Sequence, residues 1–383
     1  MIYTEGLPVQ QWDEFTKLNL DLMLDIFSRL PLKSLSSCKF VCKSWFNLIY
    51  DPSLAEQHYA RSVANNTSPC VLLYDRWKDF FLIDHQVFDE MQTKASLYNV
   101  KFRGDFIPKF EIVGSVNGLI CFAPDTRTKF ELLPYYVCNP ITREYLSLPM
   151  SPKNDKCPSL SGFGFDSVTN EYKVIRMLQN KETLKAEAEI FTIGSDAWRV
   201  KPSVSYITDR RQSNVLVNGA LHWISKYGGK TAIVSFVIAS EKFHLFQLPA
   251  CINNVENRGK EKYLAVLGNC LAFIMADSVV HAKKKEIWVM KEYRARKYWV
   301  KEYTVKQELL VSARGGGYAL TKLRNDKFLV QFKRKALVYY DPQSKTIKLI
   351  VIQDKLWEGC HDQALIHVGS LFSPSNIGKL QKR

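Results

Sequence analysis

Most of the chain alternates apolar and polar residues in short runs, but the period changes between Leu18 and Tyr50. Leu18, Leu22, Ile26 and Leu30 recur every four residues, and Met23 and Phe27 widen that stripe. The spacing predicts an amphipathic helix with one apolar face. Pro31 ends it or forces a turn, because proline has no N–H to donate and restricts the residue before it. A second helical run follows, carrying Leu35, Cys38, Cys42, Trp45, Phe46 and Ile49 with Lys33, Lys39 and Lys43 between them. Two or three short helices cannot bury this much apolar surface alone, so part of it must pack on the rest of the chain or on a partner.

Asp51 to Ser68 continues as a polar, partly helical connector, and Asn65-Asn66-Thr67-Ser68-Pro69 is a break signal. From Cys70 onward the pattern is one of short strands with turn residues at intervals, among them CVLLYDRW, FEIVGSVNGLICF, NVLVNGALHWI and ALVYYDPQSKTIKLIVI. Two hairpin types recur. One has Asn-Gly or Gly-Asn between apolar strands, at Val116-Asn117-Gly118-Leu119, Val217-Asn218-Gly219-Ala220 and Leu267-Gly268-Asn269-Cys270. The other has a polar turn with Ser or Thr, as in CNPITREYLSL, FDSVTNEYKVI, VIASEKFHLFQL and YDPQSKTIKLI. The expected fold is a small all-α module followed by a large all-β domain, a β-propeller of about six or seven four-stranded blades, with a two-sheet sandwich as the alternative. In a propeller, strands near Cys70 to Phe88 would pair with strands near Leu365 to Phe372 to close the ring. The expected divisions are an extension at 1–15, the helical module at 16–60, a linker at 61–69, the β domain at 70–373 and a basic tail at 374–383.

Composition and charge narrow the function. No apolar run reaches the roughly 20 residues of a membrane span, and the first residues lack the basic and apolar regions of a signal peptide. The expected location is the cytoplasm, the nucleus or both, with no membrane partner. Nine cysteines without a Cys-x-x-Cys read as reduced, mostly buried thiols. A net charge of +15 favours an acidic partner. The excess is concentrated between His281 and Lys306, where Lys283, Lys284, Lys285, Arg294, Arg296 and Lys297 are candidate contacts for a target or an anion; a solvated strand face is the plainer alternative.

The reactive residue types form no convergent constellation in the sequence. His222 beside Trp223 reads as a packing histidine, and the Cys360-His361-Asp362 cluster lacks a second pair at zinc spacing. Gly315-Gly316-Gly317 lacks the Gly-Lys-Ser/Thr end of a phosphate loop, and Gly162-Phe163-Gly164 lacks the third glycine of a dinucleotide site. No catalytic residue, metal or cofactor is expected. Trp288, Tyr293, Tyr298, Trp299 and Tyr303 interleave with the basic run, which keeps nucleic-acid binding as the rival function.

The helical stretch resembles the F-box, through LDIFSRLPLKSL followed by CKFVCKSWFNLI and Asp51-Pro52-Ser53; where the family has Leu-Pro at the start, this chain has Leu18-Asn19. The β domain resembles the C-terminal F-box-associated domain of a large plant family of F-box proteins, of the kelch and S-locus kind. The matching residues include Gly114-Ser115-Val116-Asn117-Gly118-Leu119, Asn139-Pro140-Ile141-Thr142-Arg143-Glu144, Gly162-Phe163-Gly164-Phe165-Asp166, Val217-Asn218-Gly219-Ala220-Leu221-His222-Trp223 and Ile287-Trp288-Val289-Met290-Lys291-Glu292-Tyr293. The resemblance implies a non-catalytic substrate-recognition subunit of a ubiquitin ligase, whose F-box binds a Skp-type adaptor and through it a cullin. The β domain would hold an unknown target, acidic in character, for degradation. Leu18, Leu22, Ile26, Leu30, Pro31, Leu35, Val41 and Trp45 are then the expected adaptor contacts, with a helix-packing role as the alternative for Trp45 above all. A scaffold that binds partners without promoting their turnover is the remaining alternative.

Overall fold

A computed structural model of the chain describes residues 19–65, 69–74, 80–84, 87, 90–92, 94–95, 98–100, 110–124, 133–152, 160–179, 186–204, 207–208, 215–254, 257, 260–276, 284–293, 299–306, 317–323, 326–332, 336–352 and 363–380. Four helices come first: α1 (Leu20–Ser28), α2 (Leu32–Cys38), α3 (Lys43–Ile49) and α4 (Pro52–Ala64). The second helical run is thus split in two, with Phe40 and Val41 in the turn between α2 and α3. The connector expected after Asp51 is largely α4. Asp51 caps it by accepting from the Ser53 N–H at 2.8 Å, and Pro52 sits at the first helical position, where its missing N–H costs nothing.

The strands form six sheets, the blades of a closed propeller, at the lower of the two expected counts. Blade 1 holds Cys70–Tyr74, Phe80–Ile83 and Tyr98–Val100, and its other edge is Gln363–His367 from the far end of the chain. Cys70 pairs with His367 and Leu72 with Leu365, so the ring closes between the segments the sequence nominates. Blades 2 to 6 follow in chain order, beginning at Phe110, Leu160, Ile207, Glu261 and Gly317, and Lys94–Ala95 adds a parallel edge to blade 6.

Each seam between neighbouring blades has its own apolar cluster. Phe122 with Leu72 fills the first seam, Phe163 with Val137 the second and Trp223 with Ile175 the third. Phe273 with Ile233, Phe328 with Ile274, and Tyr339 with Leu73 fill the others. The ring is held by burial at every seam rather than by one central core.

The turns follow from their residues. Asn117 (φ 50°) and Gly118 (φ 78°), like Asn218 (φ 49°) and Gly219 (φ 67°), place both central residues in the left-handed region, as a tight hairpin requires. In the polar turns Asn139, Asp166 and Asp341 accept from the N–H two residues on, and Arg143, Asn170 and Lys345 complete them at positive φ. The equivalent Glu241 instead accepts from Arg199 at 2.6 Å, Lys201 at 3.1 Å and Lys173 at 3.2 Å, tying blade 4 to blade 3. The Arg199 guanidinium above all holds its carboxyl down to about 2.

Residues 374–380, expected within a basic tail, form helix α5 (Pro374–Leu380) instead. Ile377 is buried in the cluster between blades 2 and 3, an apolar anchor that the surrounding lysines hide in the sequence.

Candidate partner-docking site

The helical module has two apolar surfaces. Met23, Leu24 and Phe27 of α1 turn inward, onto Leu35, Leu48, Ile49, Leu54 and Ala55 from the other three helices. The ring of Trp45 packs edge-on against Phe27 at 4.9 Å, and the buried His58 joins its Nε2 to the Leu30 carbonyl at 3.0 Å. Burial pushes the His58 pKa down, so the ring that donates to this carbonyl is neutral. Asp25 closes the outside of α1 and α4 through Arg29 and Arg61. At the helix start Asn19 accepts from the Asp21 N–H at 3.2 Å, a cap in the position where the F-box pattern has proline.

The expected contact residues separate by burial. Leu22 and Ile26 remain 48% and 38% exposed, and Pro31 and Val41 are also exposed. They lie on the outer stripe of α1 and in the turns between helices. At 100° per residue this stripe is distinct from the inward one, so the single apolar face expected of α1 is two adjacent faces. Leu35 is a correction: it is 0% exposed and belongs to the module's core, where no partner can reach it without unfolding the helices. Leu30 and Trp45 are half-buried, packed against the margin of the module's core. Leu18 lies outside the described residues.

Four exposed apolar side chains of the module were not among the expected contacts: Leu20, Phe40, Phe46 and Val63. Of the fourteen exposed large apolar side chains among the described residues, seven lie between Leu20 and Val63. Half of the exposed large apolar side chains among the described residues thus sit on this small module, which makes it the candidate docking surface.

The module is docked on the propeller as well. Leu371 enters its core, with Ile141 and Phe372 at the margin. Tyr59 of α4 donates to Asn117 Oδ1 at 2.9 Å, and Asn117 Nδ2 donates to the Tyr172 hydroxyl at 3.2 Å. Tyr59, Asn117 and Asn139 were missed as contact residues. The Ser-Val-Asn-Gly and Asn-Pro-Ile-Thr motifs announce turns, and nothing local announces their long-range partners.

The basic run does not gather into one described patch. Lys284 and Lys285 begin a strand of blade 5, and Lys291 follows its other end at Met290, roughly 20 Å away at about 3.3 Å per residue. Lys291 pairs with Glu302 at 2.6 Å, and Lys301 lies 3.5 Å from Glu286. Lys283, Arg294, Arg296 and Lys297 lie outside the described residues, as do Cys360, His361, Asp362, Gly315 and Gly316. His222 is fully buried between the Val215 carbonyl at 3.1 Å and the Tyr293 hydroxyl at 2.8 Å, a packing and hydrogen-bonding role. Gly162 is a close-packing glycine, since a Cβ there would stand 2.7 Å from Trp223. Among the described residues no cluster of His, Cys, Asp and Glu could hold a metal, and no helix is long and apolar enough to cross a membrane.

Comparison with known proteins gives two family matches: residues 69–368 match the F-box associated beta propeller domain, and residues 20–61 match the F-box-like family. F-box protein At3g07870 of Arabidopsis thaliana is 29% identical over 92% of this chain and 90% of its own length. F-box protein CPR1 of the same plant is 28% identical over 88% of this chain and 84% of its own length. The Arabidopsis F-box/kelch-repeat protein At3g23880 is 26% identical over 74% of this chain and 78% of its own length.

Proposed function

The chain belongs to the family of F-box proteins with an F-box associated β-propeller, and from that membership we propose that it is the substrate-recognition subunit of a Skp–cullin–F-box ubiquitin ligase. The observation that carries the proposal is the uncovered outer stripe of α1, Leu22 and Ile26, with Phe40, Val41 and Phe46 exposed beyond it. Apolar side chains left in water on a four-helix unit suit the apolar centre of a protein interface, and the Skp-type adaptor is the partner that an F-box takes. Through the adaptor the chain reaches a cullin, working in the cytoplasm or nucleus, while the propeller holds a target protein for ubiquitination and degradation.

The chemistry asked of this chain is proximity. Members of this family are in general substrate adaptors rather than catalysts, and a receptor raises the effective concentration of its target's lysines at a ubiquitin-conjugating enzyme bound elsewhere in the assembly. The net charge of +15 favours a target with an acidic surface. Co-purification with a Skp-type adaptor tests the proposal: the intact chain should retain it, and a chain with Leu22→Asp and Ile26→Asp should lose it with the propeller still folded. Retention by that variant would overturn the assignment of the docking face.

A further inference from the structure

We infer that residues 368–373, which continue from the closing strand Gln363–His367, form a strap that fixes the angle between the helical module and the propeller. We infer also that Asn117 and Asn139 are positioning residues for ubiquitin transfer, a second part that rests on the receptor function proposed above.

The strap is gripped from both sides. On the propeller side the fully buried Asn139 donates through Nδ2 to the carbonyls of Ser370 at 3.0 Å and Phe372 at 2.7 Å. The same side chain accepts through Oδ1 from the Ile141 N–H at 2.8 Å and the Thr142 N–H at 3.4 Å. Ser370 Oγ donates to the Asn117 carbonyl at 2.8 Å. On the module side Leu371 is part of the helical core, and the Phe372 ring stands 5.6 Å from that of Tyr59. The Tyr59–Asn117–Tyr172 hydrogen bonds then run from α4 through a blade 2 turn into blade 3.

Two glycines show how little slack remains. A Cβ on Gly369 would lie 2.5 Å from Leu32 Cδ1, and one on Gly118 would lie 2.0 Å from Ser370 Oγ. Domains joined by a short polar linker move relative to one another by default. Here a second connection, buried and hydrogen-bonded, removes that freedom. Because the strap follows the strand that closes the ring, the angle is set only once the propeller is complete. A receptor held at one angle presents its target's lysines to the conjugating enzyme over a limited arc, and a swinging one does not.

Asn139→Asp is the cleanest probe. It keeps the acceptor on which the turn depends and replaces the donor with a second oxygen facing two carbonyls, so the strap is repelled while the hairpin keeps its backbone bonds. Gly369→Val wedges the strap from the module side and serves as an independent second variant. Spin labels at Asn47 and Lys230 of the full chain, with Cys38, Cys42, Cys157, Cys251, Cys270 and Cys360 replaced by Ser, report the angle through electron–electron distances. The intact chain should give one narrow distance peak, and both variants should lose it while the propeller's melting midpoint holds. A peak as narrow as that of the intact chain in both variants would overturn the strap.

The transfer part is read from self-ubiquitination in a reconstituted ligase, with modified lysines located by mass spectrometry. The intact chain should be modified at a restricted set, which widens in the variants at unchanged adaptor affinity. An unchanged set despite a broadened distance would overturn the positioning role. Failure of the intact chain to bind the adaptor would instead overturn the receptor function, and the distance measurement, made on the free chain, would still decide the strap.

Discussion

Leu22 and Leu35 sit thirteen residues apart in the same module and were expected in the same role, yet the structure gives them opposite exposures of 48% and 0%. Replacing each by alanine therefore separates contact from core. Complete burial of a leucine or isoleucine contributes about 1.5–3 kcal/mol. Covering the exposed half of Leu22 and the 38% of Ile26 should then contribute about 1 kcal/mol each, or roughly 30-fold in Kd for the pair. Leu22→Ala with Ile26→Ala should weaken adaptor binding by that factor, while stability changes by no more than about 0.5 kcal/mol per site. Leu35→Ala should do the reverse, costing about 2–5 kcal/mol of module stability through the cavity it leaves. Titration calorimetry against a purified Skp-type adaptor and thermal melting give the two readouts. Adaptor affinity within about threefold of the intact chain in the double variant would refute the outer stripe as the contact.

Stability should fall in two acid windows. His367 is fully buried beside Ser115 and burial holds its pKa at about 4, so the unfolded chain protonates first as pH drops below 6.5. The native state should lose up to about 3 kcal/mol between pH 6.5 and 4, and His367→Gln should flatten the urea midpoint over that range. Glu241, held at about 2 chiefly by Arg199, contributes stability that is full above pH 4.5 and lost as pH falls toward 2. With Arg199 half exposed to solvent, Glu241→Gln should cost about 1 kcal/mol at pH 7, read from the same midpoint, and remove that lower window. Gly162→Ala should lower the melting temperature through a cost of about 1–3 kcal/mol, because the added methyl meets Trp223 at 2.7 Å and Leu221 at 2.8 Å. Asn19→Pro should change adaptor affinity by less than about threefold, measured by calorimetry, since the φ of −57° already suits proline and the lost side-chain cap is offset by a stiffer entry.

Features governed by neighbouring residues were legible in the sequence. Asn-Gly at 117–118 and 218–219 announces tight hairpins because few residues accept positive φ twice in succession, and the structure has them there. Ring closure followed from the propeller expectation, in which the first and last strands of the β domain pair. Helix faces were less legible. Apolar residues cover most of α1, leaving only the side of Asp21, Asp25 and Ser28, and only the packing of α2 to α4 decides that Met23, Leu24 and Phe27 go inward while Leu22 and Ile26 stay out. The boundary of α4 was written in Asp51-Pro52-Ser53, a cap followed by proline, which was read only as part of a motif. The strap contacts had no local signal. Asn139 looks like a turn residue, and its two strap partners lie 231 and 233 positions later in the chain.

Deleting the helical module would strip the cover from Leu371 and Ile141 and confuse a lost partner with a damaged propeller, so point variants on the outer stripe are the sounder comparison. The most direct measurement is quantitative affinity purification of the full chain with the proteasome inhibited, intact against Leu22→Asp with Ile26→Asp. The intact chain should bring down a Skp-type adaptor, a cullin and one or more ubiquitinated proteins. The variant should lose adaptor and cullin together while keeping the same proteins in unmodified form. Recovery of adaptor and cullin by the variant, or captured proteins whose ubiquitination is the same with and without the outer stripe, would contradict a receptor that docks through this face.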